Sequence, residues 1–238
     1  MHAIKKPEKL WKQVYKVLLE EIQKLSPGQN RLPAEEDLAA QLFVSRATVR
    51  DAMQALINDG HLTRRHGKGN FVHPSVSRLA HRVDLTADFI ELLSTPEERA
   101  SCHLLATGET LLPEIARDYF PNTTNVFFQK WLYTSKGANC IYCNILTPRE
   151  LFVQIPISPP ECILENWMQE YCHKDIAYYA THLKCNTNQE VVDCFALPAQ
   201  TYMQNWQEVI YDINDEPVSF VDLYFHPSNI DLSLVLKF

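Results

Sequence analysis

Apolar positions recur at helical spacing through the first quarter of the chain. Over residues 9–25 Leu10, Val14, Leu18, Ile22 and Leu25, with Trp11 and Tyr15 beside them, form one stripe. Lysines and glutamates fill the opposite face, which predicts an amphipathic helix closed by Pro27-Gly28. A second helix is predicted after Pro33. Its first turn holds Glu35, Glu36 and Asp37, where the positive end of the helix dipole favours acids, and Leu38, Ala39 and Leu42 point inward. Ser45 is placed to cap a third helix. There Val49, Ala52, Met53, Leu56 and Ile57 make the buried stripe, and Thr48, Arg50 and Gln54 lie on the other face. Asp59-Gly60 ends it, glycine suiting the left-handed position after a helix. HLTRRHGKGNFVH then reads as two short strands around His66-Gly67-Lys68-Gly69.

Beyond residue 73 the period changes. PSVSRLA, residues 74–80, has little periodicity and reads as a linker. Residues 126–134 and 139–146 flank Ser135-Lys136-Gly137-Ala138, and residues 206–213 and 217–225 flank Asn214-Asp215-Glu216; each pair predicts a hairpin. Residues 161–172 are helical in period and 176–185 read as a strand. Hairpin-paired strands with interspersed helices predict an α+β fold built on an antiparallel sheet. The expected organisation is one domain at 1–73, a linker at 74–80 and a second domain at 81–238.

Charge sharpens this division. The net charge of −7 hides an asymmetry: residues 1–73 hold twelve Lys/Arg against eight Asp/Glu, and residues 74–238 hold ten against twenty-one. The first segment therefore suits a polyanion and the second repels one. Two helices with a tight connection, followed by a basic hairpin, make a winged helix-turn-helix. The exposed third helix fits the major groove of DNA, and the wing supplies phosphate or minor-groove contacts. The alternative is a small helical domain with a solvated charged face.

LPAEEDLAAQLFVSRATVRDAMQALINDGHLTRRHGKGNFV, residues 32–72, resembles the DNA-binding domain of the GntR family, with its L-P-S-E-x-x-L-A opening, S-R-x-T-V-R helix and R-x-G-x-G-T-F-V wing. The resemblance implies DNA contacts from Arg46, Thr48 and Arg50, and insertion of Gly67 at the wing tip into the minor groove. Ser45, Arg64, Arg65, His66 and Lys68 complete the expected interface. One position departs from the pattern. Glu36 stands where many members carry a DNA-contacting arginine, so one contact is expected to be lost or the sequence preference altered.

The order of elements in residues 81–238 resembles, more weakly, the UTRA effector-binding domain of the HutC-like branch of that family, which has a chorismate-lyase-like fold. Where members that sense phosphorylated sugars carry two arginines, this chain has Trp131 and Tyr133. A phosphate-bearing effector is thus poorly supported, and an apolar, flat or cationic ligand is favoured. Asp222 aligns roughly with an acid that binds effector hydroxyls or amines. Trp131 and Tyr133 read equally well as core aromatics of the sheet.

Cys140-Ile-Tyr-Cys143 is a CxxC lying within an expected strand, where its sulfurs would point to opposite faces; neither a metal nor a redox role is expected. No nucleophile–base pair, phosphate loop or paired carboxylates suggest catalysis. The N-terminus lacks the apolar segment of a secretory signal, and no apolar run is long enough for a membrane helix. The expectation is a cytoplasmic, cofactor-free homodimer. It would repress transcription from a pseudo-palindromic operator under control of an unphosphorylated small-molecule effector. A second domain that only dimerises, or an enzyme of lyase-like fold, are the alternatives.

Overall fold

The structure, a computed structural model, describes residues 9–25, 30–86, 88–153 and 164–237, with the backbone alone for 164–167. The Pro27-Gly28 stop and the start of the helix expected at 161–172 lie outside the described residues. The chain divides into two compact units, Met1–Leu85 with Leu232–Phe238, and Thr86–Asp231.

The first unit begins with α1 (Leu10–Lys24), α2 (Glu35–Leu42) and α3 (Arg46–Asn58). Their apolar stripes form one core in which Val14, Leu18, Ile22, Leu38, Val49 and Met53 are buried, and Leu62 and Val72 of the hairpin close it. Leu10, expected on the stripe, is half exposed at the open end of α1. The short turn between α2 and α3 places Phe43 in the left-handed region at φ 54°. Ser45 caps α3, its hydroxyl accepting from the Thr48 amide at 3.1 Å. At the other end Gly60 takes φ +76°, a conformation costly for any residue with a Cβ. The wing is β1 (Leu62–Arg65) paired antiparallel with β2 (Gly69–Val72).

The segment 74–80, read as a linker, opens instead with a short helix, α4 (Pro74–Ser77). Proline at the first helical position is compatible with a helix start, and Ser77 is buried, its hydroxyl bonded to His61 Nδ1 at 2.9 Å. Tertiary contact thus overrides a polar, turn-like composition. Next to it, buried Arg82 donates to the Asp59 carbonyl at 2.7 Å and forms an ion pair with Asp84 at 2.5 Å. The Tyr15 hydroxyl reaches the Asp59 carboxylate at 2.7 Å. Residues 232–237 return to this unit. Ser233 exchanges backbone hydrogen bonds with His81 and Val83, Lys237 reaches the Asn58 carbonyl, and Val235 lies beside Gly60.

The second unit is a six-stranded antiparallel sheet in the order β3-β4-β5-β8-β7-β6. Its strands are β3 (Ser101–Leu111), β4 (Asn125–Ser135), β5 (Ala138–Pro148), β6 (Ile176–Asn186), β7 (Met203–Asp212) and β8 (Pro217–Phe225). Both expected hairpins form. Elements without an expectation from the pattern include β3 and the short helices α5 (Phe89–Leu93) and α7 (Gln189–Cys194). β3 is a mostly exposed edge strand with a bulge at Leu104–Ala106, so burial imposes no clean alternation on it. α5 and α6 (Leu164–Cys172) pack over one face; α7 and residues 112–123 cover the other.

Burial, with the Arg82 guanidinium beside it, holds the His61 imidazole below its ordinary pKa of 6.5. As pH falls below that value the unfolded chain binds a proton that the folded chain refuses. Folding stability should therefore drop on acidification, and this part of the drop should vanish in His61→Asn. Melting temperatures of the two proteins between about pH 7.5 and about pH 5.5 check this; identical slopes would refute it.

Candidate functional site

Two features of the first unit order a basic surface. The cap at Ser45 fixes where α3 begins; its hydroxyl also lies 2.8 Å from the Thr48 hydroxyl. Arg46 and Arg50, one turn apart, then project from the exposed first turns of α3. The second feature is Glu35, largely buried at the start of α2. Its carboxylate accepts from Arg50 Nε at 3.2 Å and from Arg64 Nη2 at 2.7 Å. One acid thereby ties recognition helix to wing, and Asn70 adds an acceptor for Arg64 Nε at 3.3 Å. Arg46, Arg64, Arg65, His66 and Gly67 line one cleft of about 520 Å³ together with Glu35 and Glu36. Gly67, at φ +69°, turns the wing tip with open space around it. Ser45, Arg50, Arg64, Arg65, His66 and Lys68 are exposed and Thr48 is half-buried. The unit thus brings the expected DNA-contacting residues into one small region.

Glu36 does more than leave a contact out. Its carboxylate pairs with Arg46 Nη1 at 2.6 Å, with both side chains exposed. One of the expected DNA-binding arginines is therefore already paired with an acid, an effect that side-chain identity alone did not reveal.

In the second unit the expected effector residues are not together. Trp131 pairs across the ladder with Cys143, and Asp222 with Asn144. Cys143 and Asn144 are consecutive, so their side chains leave opposite faces of the sheet. Trp131 and Tyr133 stand on one face and Asp222 on the other. The grouping of these three in one pocket is corrected by strand alternation. Asp222 is buried and accepts from Asn205 Nδ2 at 2.7 Å. Burial raises its carboxyl pKa, and the hydrogen bonds of Asn205, Gln207 and Tyr224 pull it partly back. Cys143 pairs with Trp131 in the ladder whereas Cys140 is the extra residue of a bulge, and no cluster of His, Cys, Asp and Glu suited to a metal occurs among the described residues.

The face bearing Trp131 gathers polar groups that pattern reading missed. Tyr133 is taken up by packing: the ring of Phe89 on α5 meets it edge-on at 5.6 Å and also meets Phe225 at 6.1 Å. Towards the other end Met168 of α6 sits against Ser219, 3.6 Å from Sδ to the hydroxyl. Between these two contacts run two cross-strand rows, Trp131–Cys143–Leu223–Trp206 and Gln129–Ile145–Val221–Glu208. Trp131 Nε1 donates to Gln129 Oε1 at 3.2 Å. Gln129 Nε2 and Trp206 Nε1 are buried donors with no hydrogen-bond partner among the described residues. Desolvation raises the Glu208 pKa, and the Thr181 hydroxyl, donating at 3.0 Å, partly offsets it. The available signal was Trp206 and Glu208 two residues apart in a strand. Their partners across the sheet depend on register, which one chain does not display.

The family model of bacterial regulatory proteins of the gntR family matches residues 10–72, and this segment is a GntR-family helix-turn-helix domain. The histidine utilization repressor of Pseudomonas aeruginosa is 32% identical over 105 residues, 43% of this chain and 41% of that protein, so the alignment spans less than half of either. Among solved structures, the possible transcriptional regulator YydK of Bacillus subtilis superposes with a TM-score of 0.71 over 97% of this chain and 100% of that one, at 14% identity. The effector domain of PhnF from Mycobacterium smegmatis superposes with a TM-score of 0.55 over 63% of this chain and 94% of that one, at 12% identity. At such identities the likeness is one of fold.

Glu36→Gln frees Arg46 and removes a negative charge facing phosphate. Affinity for DNA should rise on the order of 3- to 10-fold at low salt, with a steeper salt dependence. A filter-binding or anisotropy titration at several salt concentrations measures both; unchanged affinity would show that the Glu36–Arg46 pair does not restrain binding.

Proposed function

We propose that this chain, with its GntR-family domain at residues 10–72, is a transcription regulator whose DNA binding responds to a small-molecule effector held by the second unit. The observation that carries the DNA-binding half is Glu35, bonded at once to Arg50 of α3 and Arg64 of the wing. It sets in advance the geometry in which helix and wing meet adjacent parts of the duplex. Arg46, Thr48 and Arg50 read or position the major groove; Arg64, Arg65, His66 and Lys68 meet phosphates, with Gly67 at the minor groove. The effector site is the pair of rows between α5 and α6, supported by two buried donors that lack partners among the described residues. Trp131 belongs to this site, Tyr133 borders it beneath Phe89, and Asp222 lies on the other face of the sheet.

The protein acts as a homodimer on a pseudo-palindromic operator, since a two-fold protein matches a two-fold site. The long edge strands β3 and β6 expose Leu105, Leu111 and Leu183 and offer the sheet as the place of association. Repression follows the histidine utilization repressor by analogy, with release by effector added as part of this reading, and the cytoplasm is the compartment where operator and metabolite meet. No helix among the described residues is long and apolar enough to cross a membrane.

Arg50→Ala should weaken binding to a selected operator by about 10- to 100-fold, the worth of one good base or phosphate contact, and leave the melting temperature unchanged. Unaltered operator affinity in a folded Arg50→Ala protein would reject the interface. A thermal-shift screen of the full chain against sugars, amino acids, aromatic acids, amines and their phosphorylated forms tests the sensor. A saturable rise accompanied by altered operator affinity supports it; silence across the panel would reject it.

A further inference from the structure

The rows between α5 and α6 carry an imbalance of polar groups that points to the charge of what they bind. Gln129 Nε2 and Trp206 Nε1 are donors in residues that are more than nine-tenths buried, and neither has a partner among the described residues. Native interiors rarely leave buried donors unused, so such atoms mark a place for an acceptor supplied from outside. Two positions from Trp206 on the same strand and face stands Glu208, with the Thr181 hydroxyl donating to it. No lysine or arginine occupies either row, from Leu104 and Thr107 at the β3 edge to Thr181 and Leu183 at the β6 edge. Cys143, Ile145, Val221 and Leu223 make an apolar floor. Asp222, across the sheet, differs because Asn205 already satisfies it.

Resting on the effector reading above, we propose that the compound held here is a small organic cation that also carries an uncharged oxygen acceptor. Its protonated nitrogen faces Glu208, its oxygen accepts from Gln129 Nε2 or Trp206 Nε1, and its apolar body lies over Cys143 and Leu223 between the two tryptophans. A carboxylate without a counter-charge in either row is penalised by desolvation until a cation arrives, and indole faces attract cations as well. An anion would meet that carboxylate and find no basic group in either row. Gln129 and Glu208 share a row across three strand spacings, about 14 Å between Cα atoms. A small metabolite that spans this row therefore carries its nitrogen and its oxygen at opposite ends.

The test uses the full chain and compounds grouped in trios that share a scaffold and differ in charge. One trio is 4-(aminomethyl)benzamide, 4-methylbenzamide and 4-carbamoylbenzoate, in which the charge varies at the end of the ring opposite the amide oxygen, and a wider set is built the same way. Melting temperature and tryptophan fluorescence are read for each. Cationic members should bind, and Glu208→Gln, a nearly isosteric change, should weaken them at least about tenfold. Should that variant fail to fold, Trp206→Phe removes the donor but keeps an aromatic ring, and should weaken the same compounds several-fold. Binding confined to neutral or anionic members, or cation binding untouched by these variants, would overturn the cation and leave a sensor standing. Silence in every trio would overturn both.

Discussion

The first unit depends on a carboxylate that holds two arginines from different elements. Glu35 lies in the first turn of α2, and its partners come from α3 and from the wing. Helix and hairpin share an apolar core, but a core fixes depth more than direction. A charge-assisted bond from each element to one largely buried acid aims the basic side chains. Exposed ion pairs are worth little to stability. Glu35 matters here because it orders groups that must otherwise be ordered when DNA arrives, and ordering long side chains in advance lowers the entropic cost of binding.

Beside it, Glu36 acts in the opposite sense. The two neighbours share a helix turn and a chemistry, yet one steadies the interface and the other occupies Arg46. The difference is geometric. Glu35 is set among side chains that surround it, whereas Glu36 is exposed. A regulator that must be displaced from its site gains from a restrained affinity, since an effector can shift an equilibrium only by its own differential binding.

The first unit was legible in the sequence because its rules are local. Helical period, the Ser45 cap, Gly60 and the wing glycines each act within a few residues, and the motif they compose is distinctive. The sheet was legible in outline for the same reason, through its two hairpins. The candidate effector site was not. Trp131 stands over the rows, but the grouping of Trp131 and Tyr133 with Asp222 failed on a one-residue parity that emerges only when β4, β5 and β8 are laid side by side. Gln129, Trp206 and Glu208 come from strands far apart in the chain, and no spacing connects them. β3 escaped notice because an exposed edge has no buried face to impress a pattern on its side chains.

The return of residues 232–237 to the first unit bears on how the molecule is made. Synthesis delivers a chain from its N-terminus, and domains generally fold as they emerge from the ribosome. The three helices and the wing can assemble early, since their core is complete within residues 14–72. The bonds of Ser233 to His81 and Val83, and of Lys237 to the end of α3, must wait until the whole of Thr86–Asp231 has left the ribosomal tunnel. The first unit is thus begun before the sheet and finished after it, and these closing bonds form only once the sheet has been made.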